Sequence, residues 1–271
     1  DLQVDAAFRL GLLKSGLFGR LLYRIEAYLL RRATRVSTIT PAMQARIIDK
    51  GMPSEWVWLC PNWADISAIR PSAKHNSFRL GLGVGDDALL VLYAGNMGEK
   101  QGLEMVLEAA SKCRNDPRLL FLMVGDGGAR RRLADLSKKM ELQNVRFLPL
   151  QPKERLNDML SAGDIHLVVQ KRDAADLVMP SKLTNILAAG RACIATADPG
   201  TALHDVVSGY EAGCVVPPGD TDALADAVVK LACDPAMRQF CGRNAREYAE
   251  MNLDKDRILS GYAKQLKSLC N

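Results

Sequence analysis

The chain has 271 residues, enough for one large or two medium domains with real cores. Charged residues make up 25% and apolar residues 48%, which excludes a disordered segment, a collagen or a small disulfide scaffold. The excess of positive charge is only five, no apolar run reaches the roughly 18 residues of a membrane span, and the first residues carry no signal-peptide pattern. Seven cysteines, an odd number without a C-x-x-C pair, fit a reducing cytosol, so a soluble cytoplasmic protein is expected.

In chain order, Asp1-Leu2-Gln3-Val4 shows neither helix nor strand signal and no initiating methionine, as if cut from something longer. Residues 17–33 read as a basic amphipathic helix, in which Arg20, Arg24, Arg31 and Arg32, with Lys14 and Arg35 beside them, interleave with Phe18, Leu21, Ile25, Tyr28 and Leu29. Two readings stand: a helix lying on an anionic membrane surface, or an ordinary surface helix with solvated arginines and an apolar core face. Nucleic-acid binding fits less well, because no aromatic-plus-basic recognition motif accompanies the charge. A short strand at 35–39, a helix after Pro41 and a strand at 56–59 follow, then Pro61-Asn62-Trp63-Ala64-Asp65. Residues 71–77 have linker composition, which places a boundary between a first unit of residues 1–71 and a second of residues 72–250.

From residue 88 onward, strand-length apolar runs at 88–93, 119–124, 144–148, 164–169, 192–196 and 213–216 alternate with helix-period segments at 101–113, 128–140, 152–161, 181–189 and 201–208. Repeated β-α units with fully apolar strands predict an α/β fold, a doubly wound parallel sheet covered on both faces, with ligands at the carboxyl ends of its strands. Asp220, Asp234 followed by Pro235, and Asp254 each announce a helix in the tail, the last over residues 251–271.

Four segments fall where such a sheet binds ligands. Gly95-Asn96-Met97-Gly98-Glu99-Lys100-Gln101-Gly102 follows the first strand; its glycines let backbone approach a ligand and Lys100 offers a point charge, although a plain glycine-rich turn explains it alone. Walker A spacing is missing, so a nucleotide triphosphatase is disfavoured. Gly125-Asp126-Gly127-Gly128 follows the second strand, whereas Gly81-Leu82-Gly83-Val84-Gly85 precedes its strand, so the dehydrogenase fingerprint is misplaced. The strand at 164–169 runs into Gln170-Lys171-Arg172-Asp173, where Gln170 is placed to bond a base edge, while His166 reads as a core histidine. In Val178-Met179-Pro180-Ser181-Lys182-Leu183-Thr184-Asn185, Ser181 reads as an N-cap, Leu183, Ile186 and Leu187 as a buried face, and the Leu183 and Thr184 amides as free to receive an anion. Lys182 falls in the first turn, where the helix dipole penalises an exposed cation by ~0.3–1 kcal/mol until an anion binds. No histidine pair has metal spacing and no Ser-His-Asp order suggests itself, so neither a metal site nor a triad is expected. Together the loops describe a crevice for a nucleotide diphosphate.

These residues resemble the retaining glycosyltransferases of family 4, which have the GT-B architecture of two Rossmann-like domains about a cleft. The likeness covers essentially the whole chain: Pro61 to Asp65 with Arg70-Pro71 looks like the interdomain passage, and Tyr93-Ala94-Gly95, Val124-Gly125-Asp126-Gly127 and the segment from Pro180 to Gly190 look like the donor domain in order and spacing. Tyr93 to Gly102 and Pro180-Ser181-Lys182-Leu183 are most similar to the branch that builds exopolysaccharides such as colanic acid. The resemblance implies one complete Rossmann-like donor domain (72–250), a partial Rossmann-like acceptor domain with its linker (1–71), and a final helix crossing back (251–271). It implies that the Leu183 and Thr184 amides, with Ser181, hold the donor diphosphate, that Asn185 faces the ribose, that Gly95, Asn96 and Gly125 approach the donor, and that Lys100 and Lys182 stabilise the leaving diphosphate. The family's paired glutamates, eight positions apart, fall on Leu177 and Asn185, and Asn96 stands where an arginine is usual. The implied reaction is a retaining, metal-independent transfer from a UDP- or GDP-sugar to a saccharide or lipid-linked saccharide, without a cofactor, at the inner face of the plasma membrane. A sugar-nucleotide epimerase of the same architecture and a non-catalytic scaffold are the alternatives.

Overall fold

The computed structural model describes residues 4, 8, 16–172 and 180–270. Its centre is a six-stranded parallel sheet of β3 (Leu89–Ala94), β4 (Leu119–Val124), β5 (Val145–Leu148), β6 (Ile165–Val168), β7 (Cys193–Thr196) and β8 (Gly213–Val216), in the order β5-β4-β3-β6-β7-β8. Alternation along each strand sends residues to two separate cores. Val91, Tyr93, Phe121 and Met123 pack with the helices Glu104–Lys112 and Thr221–Cys233 on one face. On the other, Leu90, Leu92 and Leu122 pack with Leu156–Ala162, Ser181–Ala188 and Pro235–Asn252. This is the doubly wound α/β arrangement expected from the strand-helix alternation.

The expected strands hold to within a residue or two of their ends, and two expected helices are divided. The segment at 101–113 opens as a 3-10 turn, Glu99–Gln101, and restarts as Glu104–Lys112 because Gly102 takes a left-handed conformation at φ +63°. Residues 152–161 likewise divide into a 3-10 turn, Lys153–Arg155, and the helix Leu156–Ala162. The three tail caps form as read: the Asp220, Asp234 and Asp254 carboxylates accept from the Ala223, Met237 and Arg257 amides.

Ahead of the sheet, the helix Leu17–Arg32 leads to β1 (Val36–Thr38), the helix Pro41–Asp49 and β2 (Val57–Leu59), and β1 pairs with β2 in parallel. Met43, Ile47, Met52 and Val57 form a small third core there. The last helix, Lys255–Lys267, reaches this region: Tyr262 donates its hydroxyl to Ser37 Oγ at 3.1 Å and sets its ring edge-on to Trp58 at 6.1 Å. The polar stretch at 71–77 is docked rather than a free linker, because its hydrogen-bonding groups are used. Ser72 donates to Ser161 Oγ at 2.7 Å, and Asn76 accepts from the Phe78 and Arg79 amides at the start of a short helix, Ser77–Gly81. Among the described residues no helix is long and apolar enough to cross a membrane. The opening Asp1-Leu2-Gln3, with Lys14, Asp173 and residues 177–179, lies outside the described residues.

A candidate anion-binding cleft

Strand order reverses between β3 and β6, and there the loops leaving the two strands must part. They part around a cleft of ≈ 590 Å³, into which Gly95, Asn96 and Lys100 project from the first loop, Gln170 from the end of β6, and Ser181, Lys182, Thr184 and Asn185 from the helix Ser181–Ala188. Trp63, Leu150 and Gln151 form its rim.

Backbone contact fixes the loops. Gly95 N donates to Val124 O at 2.9 Å, and Met97 N to Asp126 O at 2.7 Å. The approach is so close that a Cβ on Gly125 would lie 2.0 Å from Gly95 O. Gly125 therefore does not line the cleft, contrary to its expected donor contact; it is a glycine so that the Gly95 loop can lie against it. Across the cleft, Gln170 N donates to Thr196 Oγ1 at 2.8 Å and the Thr196 hydroxyl donates back to Gln170 O at 2.8 Å. Lys171 N donates to Lys100 O at 3.0 Å, so the Lys100 backbone is tethered while its side chain is exposed.

At the helix start two expectations change. Pro180 occupies the N-cap position and Ser181 is already helical; proline brings no side-chain acceptor, so no side-chain cap forms. In its place the Pro180 carbonyl accepts the Leu183 amide at 3.0 Å. The Leu183 amide is thereby used, and the fully buried Leu183 belongs to the core and not to the cleft. Helix geometry leaves the amides of Ser181 and Lys182 as donors instead, two residues earlier than expected. Thr184 lines the cleft, nearly buried, and donates its hydroxyl to Ser181 O at 2.8 Å; Asn185 also lines it. Leu177, the position of the other family glutamate, lies outside the described residues.

Lys182 is the unusual residue. Its Nζ is buried, with no hydrogen-bond partner among the described residues, 3.8 Å from the centroid of the Tyr93 ring. The small dipole penalty expected of an exposed lysine is thus the wrong scale, since desolvation dominates. Burial, and then Lys100, pushes its pKa down to about 7. Tyr93, fully buried, donates its hydroxyl to Asn96 O at 2.6 Å and so holds the first loop as well as the lysine. No carboxylate lines the cleft among the described residues, and no group of three or more His, Cys, Asp or Glu is placed there to hold a metal ion. His166 is a core residue as expected, its Nε2 2.9 Å from Leu160 O and its pKa pushed by burial to about 4.

Nothing in the sequence signals the supporting role of Tyr93, because an aromatic in an alternating strand looks like core and nothing local links it to the helix at Ser181. Trp63, 43% exposed, is likewise visible only as part of a motif; its indole meets Lys255 Nζ at 5.7 Å beside the cleft.

Residues 77–248 match the family described as Glycosyl transferases group 1. The chain is 39% identical to the putative colanic acid biosynthesis glycosyl transferase WcaI of Escherichia coli, over 98% of this chain and 66% of that protein. It is 26% identical to the probable glycosyltransferase WbjE of Pseudomonas aeruginosa, over 80% of this chain and 54% of that one. The chain thus spans about half to two thirds of the length of these relatives. Its fold is similar to sucrose-phosphate synthase from Thermosynechococcus elongatus, with a TM-score of 0.81 and 24% identity over 97% of this chain and 66% of the other. It is also similar to Anabaena HepE in complex with UDP-glucose, with a TM-score of 0.77 and 20% identity over 91% and 67%.

Proposed function

The chain belongs to the group 1 glycosyl transferases, a family with GT-B folds, and on that premise we propose that it is the donor-binding part of an enzyme that transfers a sugar from a UDP- or GDP-sugar to a saccharide acceptor. The single observation that carries this reading is the unpartnered Lys182 Nζ, buried in a cleft whose lining has two lysines and no described carboxylate. A diphosphate supplies the acceptors and the negative charge that this group lacks. The resemblance of Pro180-Ser181-Lys182-Leu183 to the exopolysaccharide branch, with the similarity to the E. coli colanic acid protein, supports surface-polysaccharide synthesis for the whole enzyme, and a lipid-linked acceptor is part of the same proposal. Domain limits follow the same proposal: donor domain 72–250, part of an acceptor domain 1–71, and the returning helix 251–271.

In the proposed chemistry the glycosidic C–O bond to the diphosphate breaks with retention at the sugar carbon, and the leaving oxygens gain charge facing Lys182, Lys100 and the Ser181 and Lys182 amides. Donors already aimed at that charge lower the barrier without reorganising, and a metal ion is not called on. In this proposal Asn185 hydrogen-bonds a ribose hydroxyl and Gln170 a base edge, with Gln151 lining the same cleft.

On the cytoplasmic face of the membrane, the helix Leu17–Arg32 is the proposed contact. Phe18 and Leu29 are each 61% exposed beside Arg20, Arg24, Arg31 and Arg32, which an ordinary surface helix with a packed apolar face does not explain.

The test is a thermal-shift and calorimetric panel of UDP, GDP and ADP. One of the first two should stabilise the chain, by about 2.7 kcal/mol at a hundred times its Kd, and Lys182→Met should weaken that binding at least tenfold. No stabilisation by any diphosphate sinks the proposal. Incubating a sugar nucleotide without acceptor separates transfer from epimerisation.

A further inference from the structure

We propose that Lys182 and Tyr93 form a proton-coupled diphosphate latch: above neutral pH the lysine of the free protein rests mainly as an uncharged amine on the tyrosine ring, and it takes up a proton from solvent when the diphosphate arrives. The proposal deepens the reading of the cleft as a diphosphate site and rests on it.

An ammonium group has three N–H donors, and among the described residues Lys182 Nζ finds no acceptor for any of them. Its position is enforced: a Cβ on Gly95 would lie 3.3 Å from both Lys182 Cε and Nζ, so the lysine fills the space that glycine leaves. The Tyr93 ring at 3.8 Å attracts a cation through its quadrupole. A ring face replaces only part of the water that a buried ammonium loses.

Among the described residues around Lys182, Lys100 is the charged group that disfavours the ammonium form, and the others named are neutral. From the turn after β3 comes Lys100, a second cation. From β3 itself comes Tyr93, whose phenol is held above its ordinary range by burial and is bonded to Asn96 O. The end of β6 offers Gln170, β4 offers Val124, and the lysine's own helix offers Ser181, Thr184 and Asn185, all neutral. Burial and Lys100 bring the pKa of the amine to about 7, so the free site is balanced near neutrality.

A diphosphate reverses both penalties. Its oxygens accept the N–H groups and its charge offsets that of Lys100, so the amine gains a proton as it gains a partner: R–NH2 + HB gives R–NH3⁺ + B⁻, in which one N–H bond forms to the nitrogen lone pair and the buffer acid HB gives up its proton. Tyr93 is in this scheme a positioning residue, fixing the amine with its ring and the Asn96 loop with its hydroxyl.

Calorimetry of UDP and of GDP at about pH 8, in buffers of low and high ionisation heat, reads the proton directly. The terminal phosphate, with a second ionisation near 6, is already fully charged there and adds no proton of its own. Wild type should take up roughly one proton per bound diphosphate, and its Kd should rise about tenfold per pH unit above pH 7. Lys182→Arg, charged throughout, should bind with no uptake and a flat pH profile. Tyr93→Phe should retain the uptake, since the ring face remains. Binding without proton uptake in wild type, or equal uptake in Lys182→Arg, overturns the latch and leaves the diphosphate site standing. Failure of both nucleotides to bind overturns the site as well. The wild-type measurement decides even if a variant does not fold.

Discussion

Lys182 and Gly125 show how far apart two glycosyltransferase-motif residues can be in what they do. Lys182 carries its consequence in pH. Its folded pKa of about 7 lies below the ordinary lysine value, so across the window from about pH 7 to the lysine range near 10.4 the unfolded chain binds the extra proton. Stability of the free protein should therefore rise with pH through that window relative to Lys182→Met, the opposite direction to diphosphate affinity. Parallel urea titrations at several pH values check it, and a pH-independent difference between the two proteins would remove the buried amine. Gly125 carries its consequence in space. At φ +139° and 2.0 Å from Gly95 O, an added Cβ must push the first loop away from the cleft. Gly125→Ala should lose at least ~3 kcal/mol and diphosphate binding with it. Gly128→Ala, where a Cβ meets nothing within 4 Å, should keep both.

At the scale of elements, most of the sheet was legible because fully apolar runs such as Leu119 to Val124 have one cheap solution, a parallel strand buried on both faces. Caps were legible where a side chain does the capping, as at Asp220, Asp234 and Asp254. The start at Ser181 is not legible for the complementary reason: a backbone carbonyl, that of Pro180, satisfies the Leu183 amide, and no residue type signals that choice. Equally silent was the buried pair of Arg79 and Asp164, 3.2 Å apart, in which Asp164 also accepts the Leu90 amide and aligns β6 with β3. Two helix ends carry strain instead of a signal. Glu141 and Glu211 sit at φ 54° and 51°, where glycine is the usual residue. Glu141→Gly and Glu211→Gly should each add about 0.5–1 kcal/mol, read as a higher Tm with unchanged nucleotide affinity. The helix Leu17–Arg32 makes a further prediction: the chain should co-sediment with vesicles rich in phosphatidylglycerol and not with neutral ones, and Arg20→Glu with Arg24→Glu should release it.

Across the whole molecule, the cleft depends on a joint far from it in sequence. Arg246 Nη1 donates to Ile69 O at 3.0 Å, Ala188 O at 2.8 Å and Ile66 O at 3.2 Å, tying the passage after Asp65 to the end of the helix that presents Lys182. Trp63, at the start of the same passage, forms the rim of the cleft, and Ala64 pairs with Leu253 and Lys255 just before the last helix turns toward β1. Three separated stretches thus meet at one guanidinium, which sets the rim relative to the floor. The sequence shows Arg246 only as one more charge in a helix, because a hydrogen-bond hub is defined by carbonyls that every residue has. Replacing it with methionine keeps much of the stem's packing and leaves those carbonyls short of a donor, at a cost of about 2–4 kcal/mol. If the joint also positions the rim, Arg246→Met should weaken diphosphate binding beyond what the fraction folded explains, and Trp63 fluorescence should change on nucleotide addition in wild type but less in the variant. A variant that loses stability yet binds with wild-type affinity once folded would show that the joint holds the fold together without shaping the cleft.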